Sequence, residues 1–384
     1  MHEESFTPTE AETASLKSKI ELQQAEKLPG LPLVVWCTDL DGTRFMNENH
    51  SEEYINANTQ LLQLADKYHI PVNAVTGRAL EDLKEEKTGE WIKDLLFDKN
   101  GMPFYEYVAC AVGTEVYKVV SKEDGSYALE EDLEWKNKIE NEVGFVRERV
   151  YPQCIAINAE MNQEPGFPNV NFKLNGRDSE QNTQAWADYD QAISREETQV
   201  QKPGEHRPQP YKIASTFEAT SMEQANQIGK LYLEKMKAHD LGKFKINISH
   251  HKDLKNGRHM YFMDVLPVTK SEAVDYLLIK QTKGFPDEQK VALFSGDSSN
   301  DTAPLTQFGG ALVGGDRQKD VLDSLHKPTK TTKHFMTFLD HETHATKILY
   351  VEPEGRLGPV SLVRAFHALS LLSAISVKKL ANVG

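Results

Sequence analysis

Apolar residues in this chain fall into short unbroken runs separated by stretches of helical spacing. Residues 33–38 form the first run, continuous rather than alternating, as a strand buried on both faces requires. Residues 52–69 follow, with Ile55, Leu61, Leu62, Leu64 and Ala65 at helical intervals. A second run at 70–75 leads into Thr76-Gly77-Arg78, and a third covers 107–112. Strand, helix, strand in that order implies a right-handed parallel unit, whose ligands sit beyond the carboxyl ends of its strands.

From 121 to 263 the pattern changes. A charged helical stretch at 135–149 gives way to a polar, loop-rich section at 158–209 and a strand at 211–217. A long amphipathic helix at 222–239 and strands at 244–249 and 260–265 complete an antiparallel α+β unit. The alternating style then returns, with a helix at 269–280, strands at 291–294, 311–313 and 347–351, and a last helix at 360–372. The pattern predicts an α/β fold: a Rossmann-like parallel-sheet core from 31–120 and 265–384, with an inserted α+β cap domain at 121–264. Residues 1–30, poor in large apolar side chains and closing on Pro29-Gly30, read as a polar, mobile arm.

Composition narrows the function classes. The formal net charge of -14 excludes a general attraction for nucleic acid or anionic lipid, so neither is expected as a partner. An anionic substrate would need local cations. Cys37, Cys110 and Cys154 show neither paired nor metal-like spacing, which suggests a reducing compartment. No apolar stretch reaches the ~20 residues of a membrane span, and the first residues lack the basic start and apolar centre of a signal peptide. The expected location is cytoplasmic; no protein partner is indicated.

The chemistry concentrates at strand ends. Asp39 and Asp41 close the first run, and residues i and i+2 of a strand point the same way. Clustered carboxylates repel unless a cation or proton lies between them. Residues 296–301 repeat the form: an apolar run, then Asp297, Asn300 and Asp301 in a Gly/Ser turn. Two acidic turns on one sheet suit Mg2+, which takes oxygen ligands in octahedral geometry; no Cys/His cluster has zinc spacing. Singly, each motif is ordinary: a capped turn at Asp41, a strand-to-helix turn at 76–78, a solvated Lys270.

Together, DLDGT at 39–43, VTGR at 75–78, Lys270 and GDSSND at 296–301 resemble the haloacid dehalogenase superfamily of phosphatases. The position of the insertion resembles that superfamily's C2B type of cap. VGTEVY at 112–117, PYKIAS at 210–215 and MDVLPVTKSEAVDYL at 263–277 resemble its sucrose-phosphate phosphatases, and the likeness covers most of 33–370.

The resemblance implies a phosphomonoester hydrolase working through an aspartyl-phosphate. Asp39 would be the nucleophile and Asp41 the general acid and base. Mg2+ would be held by Asp39, by Asp41 through its main-chain carbonyl, and by Asp297, with Asp301 in the metal's surroundings. Thr76, Gly77, Arg78, Lys270 and Asn300 would contact the phosphoryl group, and Lys270 would also neutralise Asp39. Asn300 and Asp301 would orient Lys270 and the metal's waters. Lys212 is expected to point from the cap into the cleft. The implied substrate is a small phosphate ester, a phosphorylated sugar with sucrose 6-phosphate as precedent. The same chemistry on mannosyl-phosphoglycerate, trehalose phosphate, an inositol phosphate or a phosphoprotein stays open, as does a non-catalytic binding protein on this fold. Ser271 and Gly314-Gly315-Asp316 depart from the family pattern. Outside the motifs, His250 and His251 read as a surface loop, His341 and His344 as a structural pair, Cys37 as an inert core thiol and Trp135 as packing.

Overall fold

Continuous apolar runs become central strands because both of their faces are covered. In strand β1 (Leu33–Thr38), Leu33, Val35 and Cys37 join one hydrophobic cluster, while Val34 and Trp36 join another on the opposite face. The computed structural model describes residues 33–41, 43–44, 52–84, 91–92, 95–97, 101–174, 180–185, 187, 210–287, 290–313, 321–322, 330–331, 335–339, 346–351 and 361–365. The predicted arm at 1–30, the Gly314-Gly315-Asp316 loop and the His341/His344 pair lie outside these residues.

Helix α1 (Glu52–Lys67) packs Ala57 and Leu61 on the Trp36 side, whereas Ile55 is exposed rather than part of the buried stripe. Strands β2 (Val72–Val75) and β3 (Tyr107–Cys110) extend the sheet in parallel. The edge then turns antiparallel through β4 (Glu115–Ser121) and β5 (Tyr127–Glu131). Pairing in the large sheet therefore continues past position 121.

A short helix α2 (Leu133–Asn137) and a wider π-type turn (Lys138–Val143) lead to helix α3 (Arg147–Asn162). The stretch from 158, read as polar loop, begins inside α3, which buries Val150, Cys154, Ile157 and Met161 and tolerates Pro152. Helix α4 (Met222–Ala238) is capped by Ser221. With α3 it covers one face of a four-stranded antiparallel sheet in the order β6 (Lys173–Leu174), β7 (Ile213–Ala219), β9 (His259–Leu266), β8 (Lys245–Asp253).

The chain returns to the large sheet through helix α5 (Lys270–Gln281) and parallel strand β10 (Lys290–Gly296), which pairs with β1. Helix α6 (Thr302–Phe308) precedes β11 (Gly310–Leu312), and the far edge holds β12 (Lys330–Thr331), β13 (Phe335–Leu339) and β14 (Thr346–Val351). The order is β12-β13-β14-β11-β10-β1-β2-β3-β4-β5, with six parallel strands between antiparallel edges. The fold is α/β with a parallel-sheet core, and the antiparallel α+β unit interrupts it between β5 and α5.

One turn ties the two parts together. The apolar run read as a strand through Val112 ends at Cys110, and Ala111, Val112 and Gly113 take positive φ of 49°, 66° and 89°. Such a conformation costs about 1–3 kcal/mol for each non-glycine residue. Specific hydrogen bonds offset it: Ala111 N–H donates to Arg78 O (2.6 Å), Val112 N–H to Thr76 O (2.9 Å) and Trp135 Nε1 to Gly113 O (3.2 Å). Gly113 also abuts the start of α5; a Cβ there would lie 2.8 Å from Ala273 Cβ and 3.0 Å from Thr269 O. Gly113→Ala is expected to lower stability by about 2 kcal/mol, read as a lower urea midpoint. Gly125→Ala, at φ 79° with open space around it, isolates the backbone term and should cost less.

Candidate active site

The register of two neighbouring strands brings the acidic turns together. Thr38 of β1 pairs with Ser295 of β10, and Asp39 N–H donates to Ser295 O at 2.8 Å. Asp39, Asp297 and Asp301 consequently meet beyond the carboxyl end of the sheet, with carboxylate oxygens within 4.8 Å of one another. Thr76 closes β2 on the other side of β1 and is buried.

Lys270 is the hub. It opens α5, only a few residues after β9, and its side chain is fully enclosed. Its Nζ lies 2.9 Å from Asp39 Oδ2 and 2.7 Å from Asp301 Oδ1, and it donates to Asn300 Oδ1 at 3.3 Å. Burial opposes its charge, but Asp301 and Asp39 more than compensate and hold the ammonium well above the ordinary lysine range. The helix start is itself braced, because Thr269 N–H donates to the Glu272 carboxylate at 2.9 Å and Glu272 also pairs with Lys245 of β8.

Asp301 is fully committed. Besides Lys270 on Oδ1, its Oδ2 accepts from Asp297 N–H (3.1 Å), Ser298 N–H (3.2 Å) and Ser298 Oγ (3.2 Å). Gly296 makes room for this, since a Cβ there would collide with the Asp301 side chain. With both oxygens occupied, Asp301 positions the turn rather than facing outward as a ligand. Asp297 is only partly buried, and its Oδ1 accepts a longer bond of 3.3 Å from Thr43 Oγ1. Ser298 lies within the GDSSND turn but carries no sequence signal for this role beyond its place in a Gly/Ser turn.

Asp41 points elsewhere. Arg78 grips its carboxylate with two bonds, Nε to Oδ2 at 2.8 Å and Nη2 to Oδ1 at 2.6 Å, and also donates to Asp82 O at 3.0 Å. The Asp41 carboxylate is therefore outside the acidic triplet, and the Arg78 guanidinium is engaged rather than open. Gly77 lies beside Asn300, whose Nδ2 would sit 3.7 Å from a Cβ at that position. Lys212 is not brought to the cluster: its Nζ lies 3.8 Å from Asp264 Oδ2 within the antiparallel sheet, largely buried. Cys37 is buried, and desolvation pushes its thiol up to about 12, which leaves it inert. Trp135 is buried against Tyr276, with ring centroids 4.6 Å apart.

Charge balance tests whether a divalent cation fits. Asp39 and Asp301 share the Lys270 ammonium, Asp297 adds a third carboxylate to the cluster, and Asp41 pairs with Arg78. Asp39 is held well above the ordinary carboxylate range, first by burial and then by Asp301, with Asp297 and Asp41 adding to it beyond what Lys270 offsets. An all-oxygen cluster of carboxylates, with Asp297 only partly buried, fits Mg2+.

No family model matches the sequence, and no curated protein matches it. Among solved structures, the chain is similar to a haloacid dehalogenase-like hydrolase protein from Bacillus subtilis, at 15% identity over 80% of this chain and 91% of that one, with TM-score 0.43. It is similar to a sugar phosphatase of haloacid dehalogenase subclass IIB at 14% identity, over 76% and 91% of the two chains, TM-score 0.40. It is also similar to trehalose-6-phosphate phosphatase from Aspergillus fumigatus at 10% identity, over 91% and 96%, TM-score 0.39.

Because the folded state favours protonated Asp39, that group's contribution to stability is complete below the ordinary carboxylate pKa and is lost as pH rises through the raised value. Without divalent metal, the stability of the wild type relative to Asp39→Asn is expected to fall as pH rises, because the variant lacks this titration. Urea unfolding across pH reads this directly. Mg2+ should raise the wild-type thermal midpoint and leave that of Asp297→Asn unmoved.

Proposed function

We propose that the protein is a Mg2+-dependent phosphomonoester hydrolase whose nucleophile is Asp39. The observation that carries this reading is the buried Asp39–Lys270–Asp301 chain beside Asp297, at the carboxyl ends of adjacent parallel strands. Asp39, Asp297 and the Asp41 main-chain carbonyl would hold the ion. When bound, Mg2+ screens the carboxylate from the anionic substrate and stabilises charge on the phosphoryl oxygens.

The chain's own residues divide the remaining work. Lys270 keeps Asp39 oriented, a bound cation would favour its ionised form, and an Asp39 oxygen attacks phosphorus while the ester P–O bond breaks. Asp41 gives its proton to the departing alcohol oxygen. Water then attacks phosphorus, Asp41 takes the water's proton, and the P–O bond to Asp39 breaks to release inorganic phosphate. For this cycle Asp41 must leave Arg78, which frees the guanidinium for the phosphoryl group, so one movement arms both groups. Thr76, Gly77 and Asn300 complete the cradle for the phosphoryl oxygens.

In this reading, the ten-stranded sheet and its helices are the catalytic core, and the antiparallel unit between β5 and α5 is the cap that selects the substrate. The substrate class is a phosphorylated sugar, as the likeness of 112–117, 210–215 and 263–277 to sucrose-phosphate phosphatases supports, with Lys212, just before β7, and Asp264, near the end of β9, as polar contacts. The test is phosphate release from a panel holding sucrose 6-phosphate, trehalose 6-phosphate, mannosyl-phosphoglycerate, an inositol phosphate, a phosphopeptide and a generic aryl phosphate. Mg2+-dependent turnover of a sugar phosphate, lost by about 10⁴-fold or more in Asp39→Asn, is expected. Unchanged aryl phosphate hydrolysis by that variant would refute the mechanism; cleavage confined to the phosphopeptide would refute the substrate class.

A further inference from the structure

We propose that His250, Asp253 and His259 form a second metal site, on the β8–β9 hairpin, for a divalent transition ion of the Zn2+, Ni2+ or Cu2+ type. Residues three apart in a regular strand face opposite sides of the sheet, so His250 and Asp253 should diverge. They converge because β8 carries a bulge. Its register runs from His250 opposite Tyr261 to Lys252 opposite Met260 and Asp253 opposite His259. His251 is the extra residue, and the insertion returns Asp253 to the face of His250. His259, two residues before Tyr261 on β9, points to that face as well. The segment read as a surface loop is thus a strand, and its irregularity re-aims a side chain, a recurrent use of bulges at functional positions.

The resulting geometry is that of a ligand set. Asp253 Oδ1 lies 2.9 Å from His250 Nε2 and 2.6 Å from His259 Nδ1, and the three residues offer donor atoms within 4.8 Å of one another. Tyr261 backs both imidazoles, with ring centroids at 5.6 Å from His250 and 6.3 Å from His259, edge-on in each case. Side-chain exposures of 21% for His250, 35% for His259 and 76% for Asp253 leave the outer side open to water ligands.

An ion at a bond length of about 2.0 Å separates tetrahedral donors by roughly 3.3 Å. The Asp253 oxygen would move about 0.4 Å from His250 and about 0.7 Å from His259 to reach that separation, and the ion takes the place of the hydrogens now shared with Asp253. Two imidazole nitrogens and one carboxylate oxygen select transition ions over Mg2+ and Ca2+, which prefer all-oxygen shells. The donor set also separates this site from the oxygen-only cluster around Asp39. Bound metal would clamp the end of the hairpin where β8 is an edge strand.

The test is calorimetric titration of Zn2+ into the full chain with Mg2+ in excess, compared with His250→Ala, His259→Ala and Asp39→Asn. One saturable equivalent is expected in the wild type and in Asp39→Asn, weakened about tenfold or more in either histidine variant. Zn2+ should also raise the thermal midpoint of the wild type and not that of the histidine variants, whose metal-free melts report whether they fold. Electron paramagnetic resonance of bound Cu2+ should show nitrogen ligation that each histidine variant reduces. Equal Zn2+ binding by the wild type and both histidine variants, or no saturable binding by the wild type, would overturn the proposal.

Discussion

A lysine at the first turn of a helix meets the positive end of the helix dipole, and Lys270 does so without water around it. Its charge is tolerable only because Asp39 and Asp301 flank the ammonium. Breaking a buried arrangement of this kind costs about 3–5 kcal/mol, since an uncompensated charge remains inside. The surrounding architecture follows from that requirement. Asp39 and Asp301 come from the ends of neighbouring strands, so the β1–β10 register must hold. Asp301 must be pinned by the 297–298 amides, which requires a glycine at 296. The helix carrying the lysine must be braced, which Glu272 does from inside and Gly113 by close approach.

The same constraint leaves the site unbalanced. Lys270 is shared between two carboxylates, and Asp297 brings a third to the same cluster. Arg78 and Asp41 satisfy each other across two bonds, which removes one cation and one carboxylate from the account. Burial first, and then the neighbouring Asp301, makes Asp39 favour its proton in spite of Lys270. Storing such strain at a site while the rest of the fold absorbs its cost is a familiar arrangement in enzymes.

Much of this was legible in the residues, and the failures have physical causes. Central strands such as β1 and β10 are readable because burial on both faces leaves continuous apolar runs. The acidic turns are readable because carboxylates rarely follow such runs without purpose. The turn at Ala111–Gly113 was not readable, because apolar Ala111 and Val112 leave the strand only when the carbonyls of Arg78 and Thr76 capture their amides. Nor was the Asp41–Arg78 pair, since residue spacing does not report where a side chain turns. The polar end of β8 carries no apolar alternation and therefore passes for a loop; strand pairing with β9, not composition, makes it a strand. In α3, Pro152 and the surrounding polar residues mask a buried stripe that only packing against the antiparallel sheet reveals.

The two crossings between the sheets are unequal. The outgoing chain leaves the large sheet after Glu131, at an antiparallel edge far along the strand order from β1. The returning chain comes off β9 and reaches Lys270 almost at once. Changes of length or composition at the first crossing are buffered by two antiparallel strands and a short helix. At the second crossing they have no buffer, so a residue added or removed between Leu266 and Thr269 rotates or shifts the ammonium itself. Exchange of the whole antiparallel unit between related chains is therefore more tightly constrained at the second junction than at the first. Any such graft has to keep its last strand in phase with the lysine.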